Sequence, residues 1–360
     1  MKILHWYIVK TMLHYTSAVM FIWLCVYGFF NFLDEVKLIG QSSYSTWEAT
    51  KYVLLDLFSV LYTHSSAVIL LGSILSLGHL ASTSQLIILQ ASGISILQIT
   101  KTVIKGSLVF ILIIVSLGEI VAPPLVEYAE NNRAKALGER VSSQTDSGFW
   151  LKDKDTIIHV KEYSGSNFFK DVTLIDIFKS NEIEKITQSS HAILDEEILN
   201  LNNVQSYNLE QNKDQVKITQ EEFAKYGTEI TFDEDILEGL KKEPYKLSSW
   251  EIYKQINFLR LNNLETDLFE VELYKRIVRP ITLVSMVLLS MLFVFGSLRD
   301  STLGKKIFLG LIVSLLFEMI SRFSGIASLR FELNHFLSVA SPTLVVLFFS
   351  YILIRRKSLG

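Results

Sequence analysis

The chain is poor in the residues and patterns that announce chemistry. Cys25 is the only cysteine among 360 residues, so no intramolecular disulfide can form and a cysteine-ligated zinc site lacks its ligand set. A His-Glu-x-x-His zinc motif, a Gly-x-Ser-x-Gly elbow and a dinucleotide glycine fingerprint are all missing. The nearest approach to a phosphate loop is Gly304-Lys305-Lys306, but Arg299 stands where its first glycine must be, and Lys306 where a hydroxyl must bind magnesium. The expectation is therefore a chain that is not an enzyme, with no catalytic residues, no metal site and no cofactor of its own. Internal repeats and low-complexity tracts are absent. The seven histidines are scattered, and His64 and His79 suit helix contacts or lipid headgroups better than ligation.

What is abundant is apolarity in long runs. Hydrophobic residues make up 49% of the chain, and they gather in six stretches: Thr11 to Leu33, Leu57 to Leu80, Gly106 to Ala122, Pro280 to Leu298, Ile307 to Leu329 and Leu333 to Leu353. Each is at or near the roughly 20 residues that a helix needs to cross a bilayer. The first carries no formal charge apart from a protonatable His14, and no small-residue cleavage site follows it, so it is expected to stay as an anchor. Between the third and fourth stretches lies a polar block, Glu127 to Glu270, with 17 Lys+Arg against 28 Asp+Glu, a net of −11. The remainder of the chain carries a net of +8.

The basic residues orient the spans. Lys2 and Lys10 precede the first, Lys101 and Lys105 separate the second from the third, Arg299, Lys305 and Lys306 separate the fourth from the fifth, and Arg355, Arg356 and Lys357 close the chain. Six crossings put all four clusters on one side. The positive-inside rule makes that side the cytoplasm, with both termini inside and the acidic block in a periplasm-like space.

Within the block, Trp150 to Leu151, Thr156 to Lys161, Asp171 to Phe178, Glu182 to Leu194, Ile198 to Tyr207 and Gln215 to Phe223 alternate as short strands. Turn-like clusters Ser164-Gly165-Ser166-Asn167, Asn202-Asn203 and Asn212-Lys213-Asp214 punctuate them. Roughly six to eight strands at this spacing suggest a sandwich or jelly roll. Ser248 and Glu251 then have capping-box form, which starts a helix running through Leu259. The expected fold is a membrane α-helical protein of six transmembrane helices with an inserted periplasmic all-β domain. Its parts are residues 1–126 (helices one to three, with a cytoplasmic helix at about 83–92), 127–247 (β-jelly roll), 248–271 (linker helix) and 272–360 (helices four to six).

Charges inside spans are costly unless paired. Glu318 and Arg322 are four apart on one helix and can neutralise each other; a polar contact with cargo or a partner helix is the alternative. Glu119, just before Ala122-Pro123-Pro124, is expected at the outer mouth, where water reaches it, in a structural or interfacial role. In the inner loop Ala81 to Ile99, Ser82-Thr83-Ser84 can cap a short helix and Gly93 can end it. Its apolar members Leu86, Ile87, Leu89 and Ile88 either pack on the protein's own span ends or enter a cytoplasmic subunit.

Four stretches resemble a known family: Gln85-Leu86-Ile87-Ile88-Leu89-Gln90-Ala91-Ser92-Gly93, Gly118-Glu119-Ile120-Val121-Ala122-Pro123, Gly148-Phe149-Trp150-Leu151-Lys152-Asp153 and Phe295-Gly296-Ser297-Leu298-Arg299. They are similar, in order and across the whole chain, to the lipopolysaccharide-export permeases LptF and LptG, and the second and third look more like the LptG branch. The resemblance implies an ABC exporter of the Gram-negative inner membrane. In it, an LptF-like and an LptG-like permease enclose a cavity, two LptB-like ATPase subunits consume ATP and Mg below, and an LptC-like bitopic protein attaches. Nucleic acid is not among the implied partners. Lipopolysaccharide would enter laterally and rise toward the periplasmic β-domains. An LptF-like subunit, or a non-transport scaffold or sensor with a β-domain, is the alternative.

Matched residue by residue, the resemblance implies lipopolysaccharide binding by Lys37 and Arg133; snorkelling toward ordinary headgroups is the competing role. It also implies that Gln85, Leu86 and Leu89 couple to the ATPase. This chain departs from related sequences at Asn31 and Leu38, where lysine is common, at Glu130, where arginine is common, and at Gln85, where glutamate is usual. The rim is thereby less basic, and ATPase docking leans on Leu86 and Leu89. The net of −11 further suggests that the β-insert takes acyl chains and leaves phosphates to the membrane rim.

Overall fold

The structure, a computed structural model, describes residues 2–138, 149–163, 167–177, 183–195, 198–212, 215–230, 232, 236, 242–295 and 302–359. Gly148, the turn residues Ser164 to Ser166, Lys213 and Asp214, and the stretch Gly296 to Arg299 lie outside them. The chain separates into two compact units: residues 1–40, 44–130 and 270–360 form one, and residues 41–43 and 131–269 the other.

The first unit is helical. It contains α1 (Lys2–Val36), α2 (Thr46–Thr63), α3 (Ser65–Ser82), α4 (Gln85–Ala91) and α5 (Ile96–Ser116), followed by a π-helical segment Leu117–Val121 that leads without a break into α6 (Ala122–Leu137). Among the described residues six helices are long and apolar enough to cross a membrane: Trp6–Val36, Ser65–Ser82, Ile96–Leu137, Asp267–Phe295, Leu303–Arg330 and His335–Lys357. The second span differs from the sequence expectation of Leu57 to Leu80. Residues 46–63 form a separate helix, capped by the Ser45 side chain on Glu48 N, and the helix is interrupted at His64. The interruption is invisible to hydropathy because Leu57 to Tyr62 is as apolar as the span beyond it.

Glycines set how closely these helices approach. At Gly72 of α3 a Cβ would stand 2.8 Å from the Thr16 Cα of α1, a distance that real Cβ atoms do not show. Buried Ile69, Leu70, Ile74, Leu77, Val103, Ile114, Met286 and Met291 form the common core. Burial of each such side chain contributes about 1.5–3 kcal/mol in water-transfer terms; within lipid, close packing replaces that driving force.

The second unit is built on six strands: β1 (Phe149–Asp153), β2 (Thr156–Tyr163), β3 (Phe168–Ile177), β4 (Ile183–Asp195), β5 (Ile198–Asn212) and β6 (Gln215–Glu229). All pair antiparallel, in the order β1-β2-β3-β4-β5-β6. The inserted all-β character is as expected, but the described strands make one up-and-down sheet without the Greek-key crossing of a jelly roll. Short connections, two residues between β1 and β2 and between β4 and β5, force each strand beside its predecessor. Asn202-Asn203 is not a turn: it stays inside β5, with Asn203 at φ 52°, a conformation asparagine tolerates.

Alternation buries one sheet face through the pairs Ile158↔Leu174, Val160↔Val172, Ala192↔Leu201 and Leu194↔Leu199. The expected capping box is formed: Ser248 Oγ accepts from Glu251 N at 3.2 Å, and Ser248 N donates to Glu251 Oε2 at 2.6 Å. It starts α7 (Ser249–Leu261), whose Phe258 and Leu259 join the sheet core. This helix therefore packs as part of the insert. Returning to the first unit, α8 (Asp267–Phe295), α9 (Leu303–Arg330) and α10 (His335–Leu359) complete the helical set.

Candidate functional site

Helix α1 carries an apolar stripe, Val19, Ile22, Trp23, Val26 and Phe30, at helical spacing. Opposite it stand Leu71 and Leu75 of α3 and Ile307 and Leu311 of α9. Together they enclose a cavity of about 620 Å³, which ends on α1 at Tyr27, Asn31 and Asp34. This volume lies within the ordinary range of ligand pockets. One turn beyond Asp34 is Lys37, whose Nζ lies 2.7 Å from Asp34 Oδ1, both side chains being more than 70% exposed. The chain turns back through Gly40 (φ 92°), held by Gly40 N donating to Tyr44 O. Glu35 points inward and accepts from the buried Tyr44 hydroxyl at 2.7 Å. That bond anchors the loop and leaves Lys37 on its exposed side.

A polar layer surrounds this end of the cavity. Asn31 Nδ2 donates to Asp56 Oδ2 of α2 at 3.1 Å. The His64 ring lies against Trp23 and Tyr27, at 5.7 and 5.4 Å between centroids, while His79 lies against Tyr15 at 5.2 Å. Both histidines thus make interhelical contacts. Glu318 and Arg322 of α9 are within electrostatic reach of His64, and Arg322 also of Tyr27. Arg322 Nε and Glu318 Oε1 are 3.5 Å apart, with the arginine side chain 61% exposed. The pair neutralises formal charge loosely enough to leave guanidinium donors outward.

Glu119, with its side chain 21% exposed, takes a structural role between helices. It sits in the π-helical segment and accepts at one oxygen from two donors, Tyr62 Oη at 3.0 Å and Arg276 at 3.1 Å. The Arg276 side chain is only 4% exposed and lies over the Tyr62 ring, and Glu272 stands one turn earlier on α8. Arg279 also lies over that ring and donates to the Thr63 carbonyl at the end of α2. A Cβ at Gly118 would fall 2.0 Å from the Tyr62 ring, so glycine is what admits the tyrosine. Tyr62, Arg276 and Arg279 were not singled out from sequence; the run Glu272, Arg276, Arg279 on one helix face was the available signal.

Helix α4 divides its apolar residues between two sides. Leu86 is 3% exposed and belongs to the helical unit's own core, and Leu89 packs against it. Ile87 and Ile88 face outward, at 49% and 61% exposed, and Gln85 is half-buried. Ser84 occupies the cap position without a side-chain cap bond, whereas Gly93, at φ 85°, ends the helix. Burial commits most of the Leu86 side chain to the subunit's own core. Arg133, on α6, is half-buried and belongs to the unit that contains the β-sheet. Among the described residues no group of three or more His, Cys, Asp or Glu side chains could hold a metal.

Among the described residues, six membrane-length helices, an inserted antiparallel sheet and an apolar cavity with a polar end fit the class of membrane permeases. Residues 6–356 match the family of lipopolysaccharide export system permeases LptF/LptG, and the chain belongs to that family. Among its relatives, the lipopolysaccharide export system permease protein LptG of Haemophilus influenzae is 26% identical over 351 residues, 98% of each chain. LptG of Escherichia coli strain K12 is 25% identical over 354 residues, again 98% of each chain.

Proposed function

We propose that this chain is an LptG-type permease subunit that withdraws lipopolysaccharide from the inner membrane and passes it toward a periplasmic bridge to the outer membrane. The observation that carries this reading is the cavity beside α1, apolar over most of its length and polar at the end where Lys37 projects. Acyl chains suit the Val19-to-Phe30 stripe, and phosphates suit Lys37 and Arg133 as charge-assisted acceptors. An LptF-like permease would complete the cavity, an LptC-like bitopic protein would join it, and two LptB-like subunits would hydrolyse ATP with Mg. The basic edges support an orientation with both termini in the cytoplasm and the acidic insert in the periplasm. Helix α4 is then the coupling element, with Ile87 and Ile88 as its docking face.

Co-expression with LptF-like and LptB-like subunits, followed by mass spectrometry of bound lipid, tests the reading. The expected result is a stable complex with lipid-stimulated ATPase activity and co-purified lipopolysaccharide. A lone, lipid-free protein held by an unrelated envelope partner would instead support a scaffold or sensor.

A further inference from the structure

Helix α7 is apolar on two faces. Ile252, Ile256 and Leu259 are buried. On the other side Trp250, Tyr253 and Leu261 are 66%, 49% and 76% exposed. Positions 250, 253, 257 and 261 share one helical face, apolar except for the half-buried Asn257, and the exposed Leu264 and Leu268 follow beyond the helix end. The Trp250 and Tyr253 rings stack with centroids 5.9 Å apart. A soluble domain rarely spends so much apolar surface on water without an occupant.

We infer that this face of α7 rests in the headgroup layer of the membrane that α8 enters. The occupant follows from chemistry and from the chain. Tryptophan and tyrosine favour the bilayer interface, where the ring is buried and its N–H or O–H stays wet. Arg260, exposed in the last turn, supplies a cation for lipid phosphates in a polar block whose net charge is −11. The stripe's one neighbouring carboxylate in the first turn, Glu251, is occupied by the Ser248 cap. Leu261 is followed six residues later by Asp267, the first residue of α8, so at most ~20 Å of extended chain separates the stripe from a membrane span. Leu268 carries the apolar surface into that helix. The face thus acts as a float that sets the insert's last helix at the lipid surface.

The test uses the full chain in nanodiscs of phosphatidylethanolamine and phosphatidylglycerol. Because Cys25 is the only cysteine, Cys25→Ser gives a background in which Tyr253→Cys, or the exposed β6 residue Glu221→Cys as control, carries one environment-sensitive fluorophore. We expect the label at 253 to be quenched at least threefold more than the control by nitroxide at headgroup level. In unlabelled protein, Trp250→Phe should lower the lipid-quenchable part of the tryptophan emission, which guards against a labelled variant that misfolds. Equal quenching at 253 and 221, with no change on Trp250→Phe, overturns the proposal. So does protection of the label only when partner subunits are added, which makes the face a protein interface. Neither result depends on lipopolysaccharide binding, so the transport reading stands or falls separately.

Discussion

At the residue scale, Glu119 shows how a charge in a membrane protein is made tolerable. Its carboxylate gathers Tyr62 and Arg276 from two other helices, which offsets desolvation of both ions. Glu119→Ala or Arg276→Ala removes one partner of this pair while Glu272 stays near Arg276 and Tyr62 near Glu119, so an expected loss of less than about 3–5 kcal/mol, the cost of a wholly uncompensated buried charge, will appear as a fall in the detergent-solubilised Tm. The double variant Glu119→Leu/Arg276→Met should recover most of that loss; if it unfolds like the single variants, the pair is not the reason the helices hold. Asn31 invites the opposite experiment. It already donates to Asp56, so Asn31→Lys should form an ion pair there worth about 1 kcal/mol or less, while making lipopolysaccharide binding more salt-sensitive in titrations. Sequence exposed Glu119 as unusual, but its partners were hidden because they stand 57 and 157 positions away.

At the element scale, α4 illustrates the limit of periodicity. Seven residues, five of them apolar, have too few polar positions to mark an outer face, and only packing shows that Leu86 turns in while Ile87 and Ile88 turn out. Ile87→Asp/Ile88→Asp is expected to leave the subunit's Tm near wild type and to abolish co-purification of the ATPase. Leu86→Asp should instead destabilise the subunit itself, by several kcal/mol for a buried unpaired charge. If Ile87→Asp/Ile88→Asp still retains its ATPase, docking lies elsewhere. By contrast, the strands and the α7 capping box were legible, because alternation and a Ser-x-x-Glu spacing are local signals. The break at His64 was not, since the flanking segments share one hydropathy.

At the scale of the whole molecule, each unit carries its own core, and charge is divided between an acidic insert and basic edges. Lys37→Glu with Arg133→Glu should cut bound lipopolysaccharide without affecting assembly. A lost charge-assisted bond is worth about 1.5–3 kcal/mol, so roughly tenfold or more in affinity is expected, and unchanged lipid in mass spectra of the purified complex would remove both residues from the cargo site. The amino-acid sequence by itself determined the six spans, their orientation signal, the strand positions and the absence of catalytic motifs, because hydropathy, alternation and charge count are properties of neighbouring residues. Tertiary structure alone decided the up-and-down order of the sheet, the cavity between α1, α3 and α9, the outward face of α4 and the partners of Glu119. Those depend on which distant surfaces meet, and burial or pairing arises only when packing brings them together.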